Sequence, residues 1–202
     1  MVLYLRSIFL TFLIITLAAC SKATLTPIGV DGTILAFGDS LTYGIGVDAE
    51  HSYPTVLSRL SQREVINAGV AGETTSQGLS RLESLLENNH YDLLILLEGG
   101  NDILRNQNLQ QTKANLAAMI ALAQQNNIPV LLIAVPEKSL FSKAAPLYKE
   151  LAEQYDVPLI ANLMGELLRQ AGMKSDAVHL NQQGYQAMAE AIDKKLRKLG
   201  AL

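Results

Sequence analysis

Thr33-Ile34-Leu35-Ala36-Phe37-Gly38-Asp39-Ser40-Leu41-Thr42 is the stretch whose reading decides the fold. Its first five residues form an apolar run with the character of a buried strand. The run gives way to Tyr43-Gly44-Ile45-Gly46, an irregular loop. A serine at the carboxyl end of a first strand stands where open α/β sheets place their ligands. A serine hydroxyl is a weak nucleophile. It needs a base, a group to orient that base, and donors for the oxyanion it creates.

Downstream, apolar runs alternate with helical patterns. Ser52-Tyr53-Pro54 starts a helix, with Ser52 as its cap, Pro54 in its first turn, and Val56, Leu57 and Leu60 on the buried face. Val65-Ile66-Asn67 is a short second strand, followed by the glycine-punctuated loop 68–74. Leu79, Leu82, Leu85 and Leu86 recur at helical spacing. Tyr91-Asp92-Leu93-Leu94-Ile95-Leu96-Leu97 is apolar without alternation, as in a strand covered on both faces, and runs into Glu98-Gly99-Gly100-Asn101-Asp102. A helix bearing Leu116, Met119, Ile120 and Ala123 precedes a fourth strand, Val130 to Val135, which Pro136 stops. A helix over 144–155, a short strand at 158–160 and a helix over 163–171 follow. Asn181 caps the last helix, whose buried face is Tyr185, Met188, Ala189, Ile192 and Leu196. This alternation predicts a flavodoxin-like, three-layer α/β/α sandwich with a five-stranded parallel sheet. The loops after strands one, two and three should meet at one edge, bringing Ser40, Gly72 and Asn101 together.

Upstream, Arg6 is the only side-chain charge in residues 1–19, and an apolar run from Ile8 to Ala19 follows it. The run is shorter than the roughly 20 residues of a spanning helix and has the length of a signal peptide. Leu17-Ala18-Ala19-Cys20 resembles the lipobox of bacterial lipoprotein precursors. That likeness implies cleavage before Cys20 and lipidation of its thiol and new amino group. An ordinary signal peptide with a chance cysteine is the alternative, but the chain's single cysteine falls where this chemistry requires a thiol. Ser21 after the cysteine points, by analogy with Gram-negative lipoproteins, to an outer-membrane protein facing the periplasm. The domains expected are a signal peptide (1–19), a lipidated cysteine and tether (20–31) and one catalytic domain (32–202).

The bulk numbers agree with one such domain. The 202 residues, 49% hydrophobic and 17% charged, are enough for a sizeable core. A net charge of −3 offers no electrostatic footprint for nucleic acid. One cysteine excludes an intramolecular disulfide, and three histidines with that cysteine form no metal-ligand pattern. No metal or cofactor is expected.

Three histidines compete for the role of base. His51 precedes a helix start and His90 follows a helix end, so both read as surface residues. His179 lies in Ser175-Asp176-Ala177-Val178-His179-Leu180-Asn181, where Asp176, three residues upstream, can fold back onto the imidazole. Taken alone, this motif is better read as an exposed loop histidine near an unrelated aspartate. The Ser40 and Gly72 backbone N–H groups and the Asn101 amide are oxyanion-donor candidates. Gly69 and Gly72 also fit a simple tight turn, Gly99-Gly100 a strand-to-helix bend, and Asn101 a helix cap. Asp39 and Asp102 read as structural, tying their loops together.

Taken jointly, these blocks resemble the SGNH hydrolase superfamily, also called GDSL esterases and lipases. Gly38-Asp39-Ser40-Leu41 matches its first block, Gly72 its second, Gly99-Gly100-Asn101-Asp102 its third, and Asp176 with His179 its last. The resemblance implies Ser40, Asp176 and His179 as catalytic residues and Ser40, Gly72 and Asn101 as the oxyanion hole. Gly72-Glu73-Thr74-Thr75-Ser76-Gln77-Gly78-Leu79 and Tyr155-Asp156-Val157-Pro158-Leu159 are similar to the bacterial thioesterase I/protease I/lysophospholipase and arylesterase branch. Leu180 departs from that branch, which usually has proline there, and the segment 136–146 is short. An α/β-hydrolase elbow is excluded, because Thr42 stands where Gly-x-Ser-x-Gly needs its last glycine. The expected function is hydrolysis of small acyl esters or lysolipids by a lipid-anchored serine esterase or thioesterase. The alternatives are a carbohydrate O-acetylesterase and a non-catalytic binding lipoprotein on the same fold.

Overall fold

A computed structural model describes residues 24–138 and 143–202. Cys20 and the signal segment lie outside the described residues. The elements in order are β1 (Thr33–Gly38), α1 (Ser40–Tyr43), α2 (Tyr53–Ser61), β2 (Glu64–Gly69), α3 (Thr75–Asn88) and β3 (Leu93–Leu97). There follow α4 (Gly100–Leu104), α5 (Leu109–Gln125), β4 (Val130–Ile133), α6 (Pro146–Tyr155), β5 (Leu159–Ile160), α7 (Leu163–Arg169) and α8 (Gln182–Lys198). The five strands form one parallel sheet in the order β2-β1-β3-β4-β5. Helices α3, α5 and α6 pack in one row, and α2, α8 and α7 in the other.

This order reverses direction between β1 and β3, and that places the site. The chain leaves β1 towards β2 on one side and returns to β3 on the other. A crevice therefore opens at the carboxyl ends of β1 and β3. Register sets Gly38 of β1 beside both Gly69 of β2 and Leu97 of β3. The loops after all three strands consequently meet at one edge, as the sequence predicts.

Burial follows position in the sheet. Strands β3 and β4 are buried along their whole length and β1 almost so, because helices cover both faces. Strand β2 lies at the edge, and Ile66 is 37% exposed. Helix α8 buries Tyr185, Met188, Ala189, Ile192 and Leu196, as expected, and Asn181 Oδ1 accepts the Gly184 N–H at 3.0 Å.

Three local expectations need correction. Leu60 is 36% exposed, because the buried stripe of α2 continues from Leu57 to Ser61, one full turn on. The Ser61 hydroxyl tolerates burial by donating to the Leu57 carbonyl at 2.7 Å. Ser52 occupies the cap position of α2, but its hydroxyl donates instead to Ala49 O at 2.8 Å, a carbonyl of the preceding 3₁₀ turn. Helix α7 ends at Arg169, and a separate 3₁₀ turn at Ala171–Met173 leads towards His179.

The segment before β1 is partly built into the domain. Leu25 and Ile28 are buried, and their N–H groups donate to Leu199 O at 3.1 Å and Ala201 O at 2.8 Å.

Candidate active site

Ser40 is the first residue of α1, one position after Asp39, which caps that short helix. Asp39 Oδ1 accepts the Leu41 N–H at 3.0 Å and so holds the turn that presents the serine. His179 Nε2 lies 3.0 Å from Ser40 Oγ, and its Nδ1 lies 2.7 Å from Asp176 Oδ2. A carboxylate oxygen only accepts, so Nδ1 carries the proton and Nε2 is the acceptor facing the serine hydroxyl. Asp176 Oδ1 also accepts the Val178 and His179 backbone N–H groups, each at 2.8 Å. Burial, the largest single influence, pushes the Asp176 carboxyl up. The His179 side-chain bond and the two backbone bonds outweigh that and bring it to about 2.

The donors around Ser40 come from all three loops. Among the described residues the Ser40 and Gly72 N–H groups donate to no protein atom. Gly72 has φ +77°, a left-handed conformation that glycine adopts without strain. Its carbonyl accepts Arg105 Nη2 at 3.0 Å. Asn101 Nδ2 donates to Glu73 O at 2.9 Å, and its second contact, to Asp39 Oδ2, is loose at 3.5 Å. Asn101 is thus held by one N–H while the other stays available. It does not cap α4, since Gly99 occupies that position with φ +104°.

A cavity of about 110 Å³ opens at this point. Ser40, Asn101 and His179 line it, together with apolar walls from Ile103, Leu104, Val135 and Leu168. Gly72 stands in the neighbouring loop, outside the cavity wall. His51 is on the surface beside Glu50, and His90 is exposed, both away from this cavity.

Beneath the cavity lies a group of buried carboxyls, of which the sequence singled out Asp39 and Asp102 but not Glu73 or Glu98. Asp102 is fully occupied, accepting Thr75 N and Thr75 Oγ1 at 2.9 and 2.6 Å and Thr112 Oγ1 at 3.3 Å. It ties the Asn101 loop to the start of α3. Glu73 is paired with Arg81, whose Nε lies 2.8 Å from Glu73 Oε1 and whose Nη2 reaches both Glu73 Oε2 and Ala68 O. The same guanidinium sits 4.0 Å over the Phe37 ring. Arg81 therefore binds β1, the end of β2 and the Gly72 loop into one unit. Glu98 is wholly buried and neither carboxyl oxygen has a partner among the described residues. Burial, then the nearby Asp39 and Glu73 charges, push its carboxyl well above its ordinary range. Burial likewise lifts Asp39 to about 6, against the lowering effect of the Leu41 bond. No local motif joins Glu73 to Arg81, and the only signal for Glu98 was a lone acid ending an otherwise apolar strand.

Among the described residues no cluster of His, Cys, Asp or Glu is placed to hold a metal ion. No helix among them is long and apolar enough to cross a membrane.

The model of the GDSL-like lipase/acylhydrolase family matches residues 36–187. The chain is 32% identical over 176 residues to the thioesterase 1/protease 1/lysophospholipase L1 of Escherichia coli K12, covering 83% of this chain and 84% of that one. It is 30% identical over 176 residues to the arylesterase of Vibrio mimicus, covering 82% and 88%. The crystal structure of AlinE4, an SGNH-hydrolase family esterase, superposes with a TM-score of 0.66 at 31% identity, covering 85% of this chain and 97% of that one.

Proposed function

Since the chain belongs to the GDSL-like lipase/acylhydrolase family of carboxylic ester hydrolases, we propose that Ser40, His179 and Asp176 are its catalytic triad and that it works through an acyl-enzyme. The observation that carries this reading is the continuous relay from Asp176 Oδ2 through the imidazole to Ser40 Oγ, with contacts of 2.7 and 3.0 Å.

His179 Nε2 takes the proton from Ser40 as Oγ attacks the acyl carbonyl. The Ser40 and Gly72 N–H groups and the free N–H of Asn101 receive the oxyanion. His179 returns the proton to the departing alcohol or thiol. Water, deprotonated by the same nitrogen, then releases the acid and restores Ser40. Asp176, ionised throughout, stabilises the imidazolium formed at each step. The substrates are acyl esters of the arylesterase, lysophospholipase or acyl-thioesterase type. Cys20 is the lipidated residue, and the protein works in the bacterial envelope, anchored at the outer membrane and facing the periplasm.

The cavity, at about 110 Å³, is smaller than the roughly 300 Å³ at which sites for drug-sized ligands begin. That favours short acyl groups and keeps a carbohydrate O-acetylesterase as the second reading. The test is hydrolysis of p-nitrophenyl esters from acetyl to palmitoyl by protein lacking residues 1–20 and by its Ser40→Ala variant. Ser40-dependent turnover that peaks at short chains is expected. Turnover equal in both proteins, with no labelling of Ser40 by a serine-directed phosphonate, would leave a non-catalytic binding lipoprotein.

A further inference from the structure

The cavity mouth and the exit of the amino-terminal segment lie at opposite ends of the molecule. Ser40 follows the carboxyl end of β1, whereas the segment enters at the amino end of that strand. Helix α8 spans the same distance. It starts at Asn181, two residues after His179, and ends at Leu199, whose carbonyl takes the Leu25 N–H. Its 17 residues make a rod about 25 Å long.

Leu25 and Ile28 fasten the segment at the far end. Their side chains are buried, their N–H groups are bonded to Leu199 and Ala201, and Arg63 Nε and Nη2 both donate to Ile28 O at 3.3 Å. Only the links from Cys20 to Leu25 remain as tether, and fully extended they reach at most about 18 Å. That is shorter than α8. Lys194 and Lys198, both exposed, and the half-buried Lys195 stand on the last turns of α8, near this exit. None of the three forms an ion pair among the described residues. They complement an anionic headgroup layer at the end where the anchor emerges.

We infer that the anchored protein rests with the Leu199 end of α8 towards its bilayer and holds its active-site mouth away from that bilayer, open to the aqueous side. This rests on the reading of Cys20 as lipidated. The substrates within reach are then esters dissolved in, or extending through, the aqueous compartment. Acyl lipids of the anchoring leaflet are out of reach while the Leu25 strap holds.

The orientation is measurable without any assay of activity. Once Cys20 is lipidated, an introduced cysteine is the only free thiol. Full-length Gln183→Cys and Lys198→Cys proteins, carrying a fluorescent donor, would be reconstituted in phosphatidylethanolamine/phosphatidylglycerol vesicles with a headgroup acceptor. Strong energy transfer is expected from position 198, with loss of transfer at 183. A 12-residue Gly/Ser insertion between Thr24 and Leu25, which lets the mouth reach the surface, should restore transfer at 183. Equal or stronger transfer at 183 in the uninserted chain would overturn the orientation. Failure of the full-length chain to float with vesicles any better than Cys20→Ser would overturn the anchoring reading, and this inference with it.

Discussion

His179 Nε2 stands 3.0 Å from Ser40 Oγ although 139 positions separate them along the chain. The contact joins the loop after the first strand to the loop before the last helix. A second bond supports it at the same edge: the Tyr185 hydroxyl, on the first turn of α8, donates to Ile45 O at 2.9 Å. The pair proposed to react is thus aligned by the rigid body of the fold rather than by local chain geometry.

In the proposed triad, Asp176 acts on this pair through charge and orientation. Asp176→Asn keeps the shape but lets the imidazole adopt the wrong tautomer, so kcat should fall by about 10³–10⁴. The Asp176 carboxyl lies at about 2, a lowered value, so its contribution persists above the ordinary range and is lost only as pH falls towards 2. The acid limb of a kcat–pH profile should therefore have no component from Asp176 above pH 4. A kcat for Asp176→Asn within tenfold of the parent would remove Asp176 from the triad.

Asn101→Ala removes the proposed side-chain oxyanion donor. The expected loss is about 10²–10³ in kcat, or roughly 3–4 kcal/mol of transition-state stabilisation. Glu73 O loses its 2.9 Å partner, which should cost about 1 kcal/mol in urea unfolding. Steady-state kinetics on a short-chain ester decides the matter, and a near-normal kcat would exclude Asn101 from the oxyanion hole.

Arg81→Met leaves the Glu73 carboxylate, which is 5% exposed, without its counter-charge. Breaking a largely buried pair from one side costs roughly 3–5 kcal/mol. Loss of the fork also frees the loop carrying Gly72, so kcat should fall more than KM rises. Arg81→Lys, which retains the charge but not the fork to Glu73 and Ala68, should fall between. Chemical denaturation checks the first statement, and a loss below 1 kcal/mol would show that the pair is not what secures the loop.

Glu98 should make alkaline conditions destabilising. Its folded carboxyl is raised above the ordinary 4.5, so the favourable protonated state is fully present below that value and is lost as pH rises through the raised one. Relative to the parent, Glu98→Gln should become steadily more stable from about pH 5 upward, at a limiting rate of about 1.4 kcal/mol per pH unit. Denaturant midpoints for the two proteins across pH 5–9 give the comparison. Parallel curves would mean that Glu98 does not titrate differently in the folded state.

Much of this was readable along the chain. Continuous apolar runs such as Leu93–Leu97 declare strands buried on both faces, and their alternation with helical spacing implies a parallel, three-layer domain. The loop after each strand then belongs to one edge, so the meeting of Ser40 with Asn101 follows from connectivity alone. Asp176 and His179 are three residues apart, and a local turn suffices to bring them together.

What remained hidden depends on neighbours that no spacing reveals. Leu60 and Ser61 exchange places because the packing partner of α2 selects one side of a helical stripe. Arg81 reaches across two strands and a loop, and Glu98 differs from an ordinary acid only through what surrounds it. The sequence by itself determined the layer architecture and the residues gathered at one sheet edge, Ser40 among them, because hydrophobic period and connectivity are properties of the chain. Tertiary structure alone decided the 3.0 Å contact between His179 and Ser40, the buried carboxyls beneath it and the strap that binds Leu25 to Leu199. Distance, burial and field are set by which segments pack together, and packing is a property of the whole fold.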